Sequence, residues 1–258
     1  MNFQHPAFAP YQDEIAALAL AHHFPSLRAM SAMADQRGLV NAHNLPLCFA
    51  APERHLSARD YEHHILQTGC IPTRTDNWHD VMNALVWLRF PQFKAALNAA
   101  HGVAMTTETG TLRGRRRDAL TVLDESGVWV LADDVSLLDA LRQREWRALF
   151  WEQREAVFAH TQFVVIGHAL LEKMLQPYPA ITGKCLLLPS KDLALNQTGD
   201  HQFGLDQAQS LARVALSDIS APAQLAPLPV LGIPGWDSGN AHAAYYDNQA
   251  IFRPARTA

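Results

Sequence analysis

The chain is short of the residues that usually announce a mechanism. Cysteine occurs three times in 258 residues, as Cys48, Cys70 and Cys185, with no CxxC pair. So sparse and odd a set indicates neither a disulfide framework nor a cysteine zinc site. Thiols without such a framework suit a reducing cytoplasm. No apolar run approaches the ~20 residues that cross a bilayer. The opening MNFQHPAFAPYQDE has no basic and no apolar region of a secretion signal. The expectation is a soluble, cytoplasmic protein with no membrane partner. Positive charge is also in deficit: the formal net charge is −4, which argues against coating nucleic acid. Glycine-rich phosphate loops of the GxGxxG or GxxxxGKS/T type are absent, as are HExxH and GxSxG, so no standard cofactor or catalytic signature is present.

What the chain does have is one dense stretch, TRTDNWHDVMNALVWLRFPQFKAALNAAH, from Thr73 to His101. Asp76 and Asn77 are both good helix N-caps. On the helix that follows, the ~100° advance per residue gathers His79, Asp80, Asn83 and Trp87 into one narrow arc. Apolar residues cover the rest, the reverse of a surface helix. The helix is expected to be buried on most sides, with its polar strip facing a cavity or a partner. Pro91 opens a second helix on which Lys94, Asn98 and His101 share a face, with Gly102 placed for a left-handed cap. Two readings stay open for these side chains: a functional site, or a satisfied hydrogen-bond network in the core.

Elsewhere the patterning gives helices over 11–34 and 58–67, and a brief strand in NAHNLPLCFAAP. A polar loop carries Arg113, Arg115, Arg116 and Arg117, which either grip an anion bidentately or pair with Asp118, Glu108 and Glu125. Residues 119–131, ALTVLDESGVWVL, predict a β-hairpin turning at Asp124–Gly127. A helix over 134–158 leads to the strand TQFVVIG and at once to the helix GHALLEKMLQP. There His168 and Glu172 stand at i and i+4, a spacing able to offer two ligands to one ion or to form a plain hydrogen-bonded pair. A further strand, KCLLLPS, a helix over LDQAQSLARVALSDIS and a proline-rich irregular segment complete the chain. The implied fold class is α+β: one predominantly helical domain with a small sheet, residues 1–70 forming a helical portion packed on the main body.

Several blocks in order, TRTDNWHDVMNALVWLRFPQFKAALNAAH, RRDALTVLDESG, GHALLE, PLPVLGIPGW and YYDNQAIFRPAR, resemble a family of uncharacterised bacterial proteins, domain of unknown function three-zero-two-five. The resemblance implies a bacterial protein carrying one such domain, and it supplies no activity.

Residue chemistry then leads to an expectation of a metal-assisted hydrolase acting on a small anionic substrate. His79, Asp80, Asn83, His101 and Asp118 are its candidate catalytic groups, and Lys94, Asn98, Arg115 and Arg117 its candidate substrate contacts. His79, His168 and Glu172 are its candidate ligands for a divalent ion such as zinc. The alternative is a non-catalytic binding or scaffold protein with a buried polar network; a nuclease comes last, on charge. No motif specifies an oligomeric state.

Overall fold

The computed structural model describes residues 2–108, 114–190 and 201–255, without the side chains of 201–203. Its centre is a four-stranded sheet ordered β4-β3-β5-β6, with β3 at Gly127–Ala132, β4 at Thr161–Val165, β5 at Thr182–Pro189 and β6 at Ala226–Pro229. β3 and β5 are parallel, in register from Gly127↔Lys184 to Ala132↔Pro189, while β4 and β6 join antiparallel at the edges. Every residue of β3 is buried, as a strand covered on both faces requires. Trp129 sits at its middle, with Phe90 and Phe93 each edge-on at 4.9 Å.

Helices surround the sheet. α1 (Gln12–Ala17) and α2 (Leu27–Gln36) come first. The strands β1 (Cys48–Ala50) and β2 (Cys70–Pro72) form a separate parallel pair, connected by α3 (Ala58–Thr68). α3 begins at the Ser57 cap and ends at Gly69, whose φ of +73° is the left-handed conformation of a helix stop. α4 (Trp78–Arg89) starts at Asn77, whose side chain accepts from Asp80 N at 3.0 Å, and every residue from Val81 to Arg89 is buried. The apolar circumference expected from the sequence is thus inside the protein. α5 (Pro91–Thr107) starts at Pro91 as anticipated but runs straight through Gly102. The apolar residues Ala104 and Met105 beyond that glycine are buried, and their packing carries the helix past a position that would otherwise end it.

The hairpin expected over 119–131 is corrected. Arg115–Ser126 is a helix, α6, and only Gly127–Ala132 is a strand. Ala119, Leu120 and Leu123 lie on one helical face and are buried, while the β-branched Thr121 and Val122 are only half-buried. Tertiary burial of that face overrides the local β preference. α7 (Val135–Gln143), a π-turn at Ala148–Glu152 and α8 (Arg154–His160) lead to β4; α9 (His168–Met174) follows it, and α10 (His201–Ala215) precedes β6.

Candidate functional site

Three helix ends define a cleft of about 510 Å³. α4 brings His79 and Asn83, α6 brings Asp124 and Glu125 in its last turn, and α9 brings His168 as its first residue. The junction of α6 and α9 is backbone on backbone. Ile166 N and Gly167 N both donate to Gly127 O, at 3.0 and 2.9 Å. A Cβ on Gly167 would lie 2.3 Å from Gly127 N, so only glycine lets the two helices meet so closely.

At this junction the two imidazoles point their Nε2 atoms at each other, 3.1 Å apart. The Nδ1 of each ring faces a carboxylate. His79 Nδ1 is 3.1 Å from Glu172 Oε2, and His168 Nδ1 is 3.7 Å from Asp124 Oδ2. Glu125 Oε2 lies 3.6 Å from His168 Nε2, and one ligand atom each of His79, Glu125 and His168 fall within 4.8 Å of one another. Such a trio can hold a small cation: two ring nitrogens and one carboxylate converge, with Glu172 behind His79 to set that ring's tautomer. Glu172 therefore stands behind His79 rather than beside His168 at the shared point.

The charges around the trio are already engaged. Lys94, buried on α5, forms an ion pair with Asp124 and lies 5.5 Å over the Trp87 ring. Arg117 pairs with Glu108, and Arg74 holds Asp80 through two guanidinium bonds of 2.8 and 2.9 Å. Among the described residues neither Glu125 nor Glu172 forms an ion pair with a lysine or arginine; each faces an imidazole instead. Burial disfavours ionisation of Asp124, yet Lys94 and then His168 hold its carboxyl below the usual range. Burial pushes His168 down to about 4, against the pull of Asp124, which leaves a neutral ring with a lone pair at neutral pH. Burial, followed by the Asp124 charge, pushes Glu125 upward.

A second layer comes from α3. Asn83 Nδ2 donates to Tyr61 Oη at 2.7 Å. Asn98 Nδ2 donates to Glu62 Oε2 at 2.7 Å and to the Glu62 carbonyl at 2.9 Å. Burial and the nearby Asp124 push Glu62 up to about 7.

The structure brings His79, Asp80, Asn83, His101, Arg117 and His168 to one cleft. Lys94 and Asn98 stand behind it, bound to Asp124 and Glu62. Arg115 is exposed and Asp118 lies in the first turn of α6; neither lines the cleft. Arg113 lies outside the described residues. Sequence reasoning missed Tyr61, Glu62, Asp124 and Glu125. The last two fall in the turn that the sequence predicts, whereas Leu120 and Leu123 at i, i+3 carry the helical signal that places them on a helix end.

The fold and site define a helical α+β protein with a carboxylate-backed bis-histidine cleft. The family model described as "Protein of unknown function (DUF3025)" matches residues 47–256, and the chain belongs to that family. The whole cleft lies within the matched span. No curated protein and no solved structure matches the chain.

Proposed function

We propose that the cleft is a divalent-metal centre, with His79 Nε2, His168 Nε2 and a Glu125 carboxylate oxygen as ligands, and that it serves hydrolysis of a small anionic substrate. The observation that carries this reading is the convergence of two Nε2 atoms 3.1 Å apart while each Nδ1 faces its own carboxylate. A bound divalent ion would supply a water of lowered pKa and polarise a substrate oxygen. The chain's own groups have separate tasks. Glu172 accepts from His79 Nδ1 and thereby presents Nε2 to the ion; Asp124, held by Lys94, acts on His168 by charge alone, 3.7 Å from its Nδ1. Arg74 and Arg117 are occupied by Asp80 and Glu108, so the anion meets the ion rather than a guanidinium. His101 lines the cleft as the candidate proton carrier.

A second reading, a non-catalytic binding or scaffold protein, is favoured by the mutual pairing of Asn83 with Tyr61 and Asn98 with Glu62. One experiment separates them. Metal-free protein is titrated with zinc and manganese by calorimetry, and the loaded form is then assayed for release of p-nitrophenol from its phosphate and acetate esters. One ion per chain is expected, with His79→Ala, His168→Ala and Glu125→Gln each abolishing uptake and Glu172→Gln weakening it roughly 10–100-fold. Uptake below stoichiometry, or unchanged uptake in both histidine variants, overturns the metal centre; stoichiometric uptake without turnover supports the binding reading.

A further inference from the structure

Cys48 and Cys70, remote in sequence, are direct neighbours across the β1–β2 pair, in register as Cys48↔Cys70. Parallel strands lie ~4.8 Å apart, inside the ~4.4–6.8 Å Cα separation that a disulfide spans. Residues in register project to the same side of the pair, so the two thiols face one another across it. Both are partly exposed, whereas Cys185 is buried in β5. Cys70 also lines a surface hollow shared with Pro52, Arg54, His64 and Pro72. The chain between the two cysteines holds α3 and the segment before it. His55, Ser57, Tyr61 and Glu62 of the cleft wall all belong to that loop.

We propose that Cys48 and Cys70 form a peroxide-oxidisable dithiol whose disulfide closes the loop carrying this wall of the cleft. The chemistry needs a hydroperoxide. One thiol sulfur attacks the outer peroxide oxygen and the O–O bond breaks. The reduced peroxide leaves as water or alcohol, and that cysteine becomes a sulfenic acid. The other thiol sulfur then attacks the sulfenic sulfur. The S–O bond breaks and water leaves with the second thiol's proton, so two thiols and one hydroperoxide yield one disulfide, one water and one alcohol or second water. Burial first, and the adjacent Cys48 second, push the Cys70 thiol up to about 12.

The test uses the whole protein and equimolar to tenfold hydrogen peroxide. Free thiols are then alkylated and the protein digested without reductant. Expected are a mass loss of two hydrogens, a cross-linked Cys48–Cys70 peptide, and one alkylated thiol at Cys185. The oxidised form should melt roughly 7–13 °C higher, as closing a loop of this length predicts. Cys48→Ser and Cys70→Ser should each abolish the cross-link, and Cys185→Ser should leave it intact. Alkylation of all three thiols after peroxide, a bond to Cys185, or disulfides only between chains overturns the proposal. None of these outcomes depends on a metal in the cleft, so this inference and the metal centre stand or fall separately.

Discussion

The middle of the sheet and the mouth of the cleft are built by the same helices and obey opposite rules. Around β3 the contacts are apolar and interchangeable in kind: Trp129 against Phe90 and Phe93, with Leu120, Leu123, Leu170 and Leu171 on the helices that cover it. Beside them on those helices stand Lys94 and His168, both buried, and the half-buried Asp124. The apolar region gains stability from each atom removed from water. The polar region gains little from burial and depends on every charge having its partner. The lesson is that α4, α6 and α9 are each divided along their length, with one end assigned to architecture and the other to chemistry. α6 makes the division plain. Two acidic residues in its last turn oppose the helix dipole, a cost that Lys94 offsets for one of them.

The comparison breaks first at its largest expected effect. Trp129→Ala should cost about 3–5 kcal/mol, a fall of roughly 6–20 °C in melting temperature; a loss within that of a surface substitution would mean that β3 is not the centre of the core. Next, Lys94→Met leaves Asp124 buried without its cation and should cost about 3 kcal/mol. Lys94→Met combined with Asp124→Asn should recover most of that loss. A double-mutant cycle giving additive losses would remove the pair from the account.

Glu62 sharpens the contrast through pH. Its folded pKa of about 7 stands above the ordinary value of 4.5, so the folded state holds more protons between those limits. Its contribution to stability is therefore full below about pH 4.5, declines as pH rises, and is lost above about pH 7. Glu62→Gln should remove this decline. The difference between wild type and variant in urea midpoints, taken from pH 4.5 to 7.5, should correspond to on the order of 2 kcal/mol; parallel curves would show that Glu62 titrates normally. The smallest effects belong to the cleft itself. His79→Ala should change stability by less than about 1 kcal/mol or raise it, as when a site held for function is relaxed. Asn83→Ala should cost only about 1 kcal/mol for its bond to Tyr61. Losses of ~3 kcal/mol in both would make the cleft part of the architecture after all.

The sequence carried the helical elements well wherever a cap and an apolar period coincided. Asn77, Pro91, Ser57 and Gly69 all mark helix boundaries in the structure. It failed at α6, where Thr121 and Val122 mimic a strand and Asp124 to Gly127 mimic a turn, and only long-range burial decides the matter. The contributions of α4 and α9 to the cleft were legible because His79 and His168 each stand in the first turn of an apolar helix. The contributions of α3 and α6 were not. Tyr61 and Glu62 lie on a short helix whose sequence singles out neither, and the bond from Asn98 to Glu62 spans a distance in sequence that no local pattern encodes.

The shared carbonyl at Gly127 has an evolutionary corollary. Since Gly127 O receives both Ile166 N and Gly167 N, main chain as well as side chains fixes the register of α6 against α9. Substitutions nearby can be absorbed by repacking, but a single inserted or deleted residue between Asp124 and Gly127 would turn Asp124 and Glu125 by about 100° around the helix axis, away from His168. Length, more than composition, is what descendants of this chain have to preserve at that corner.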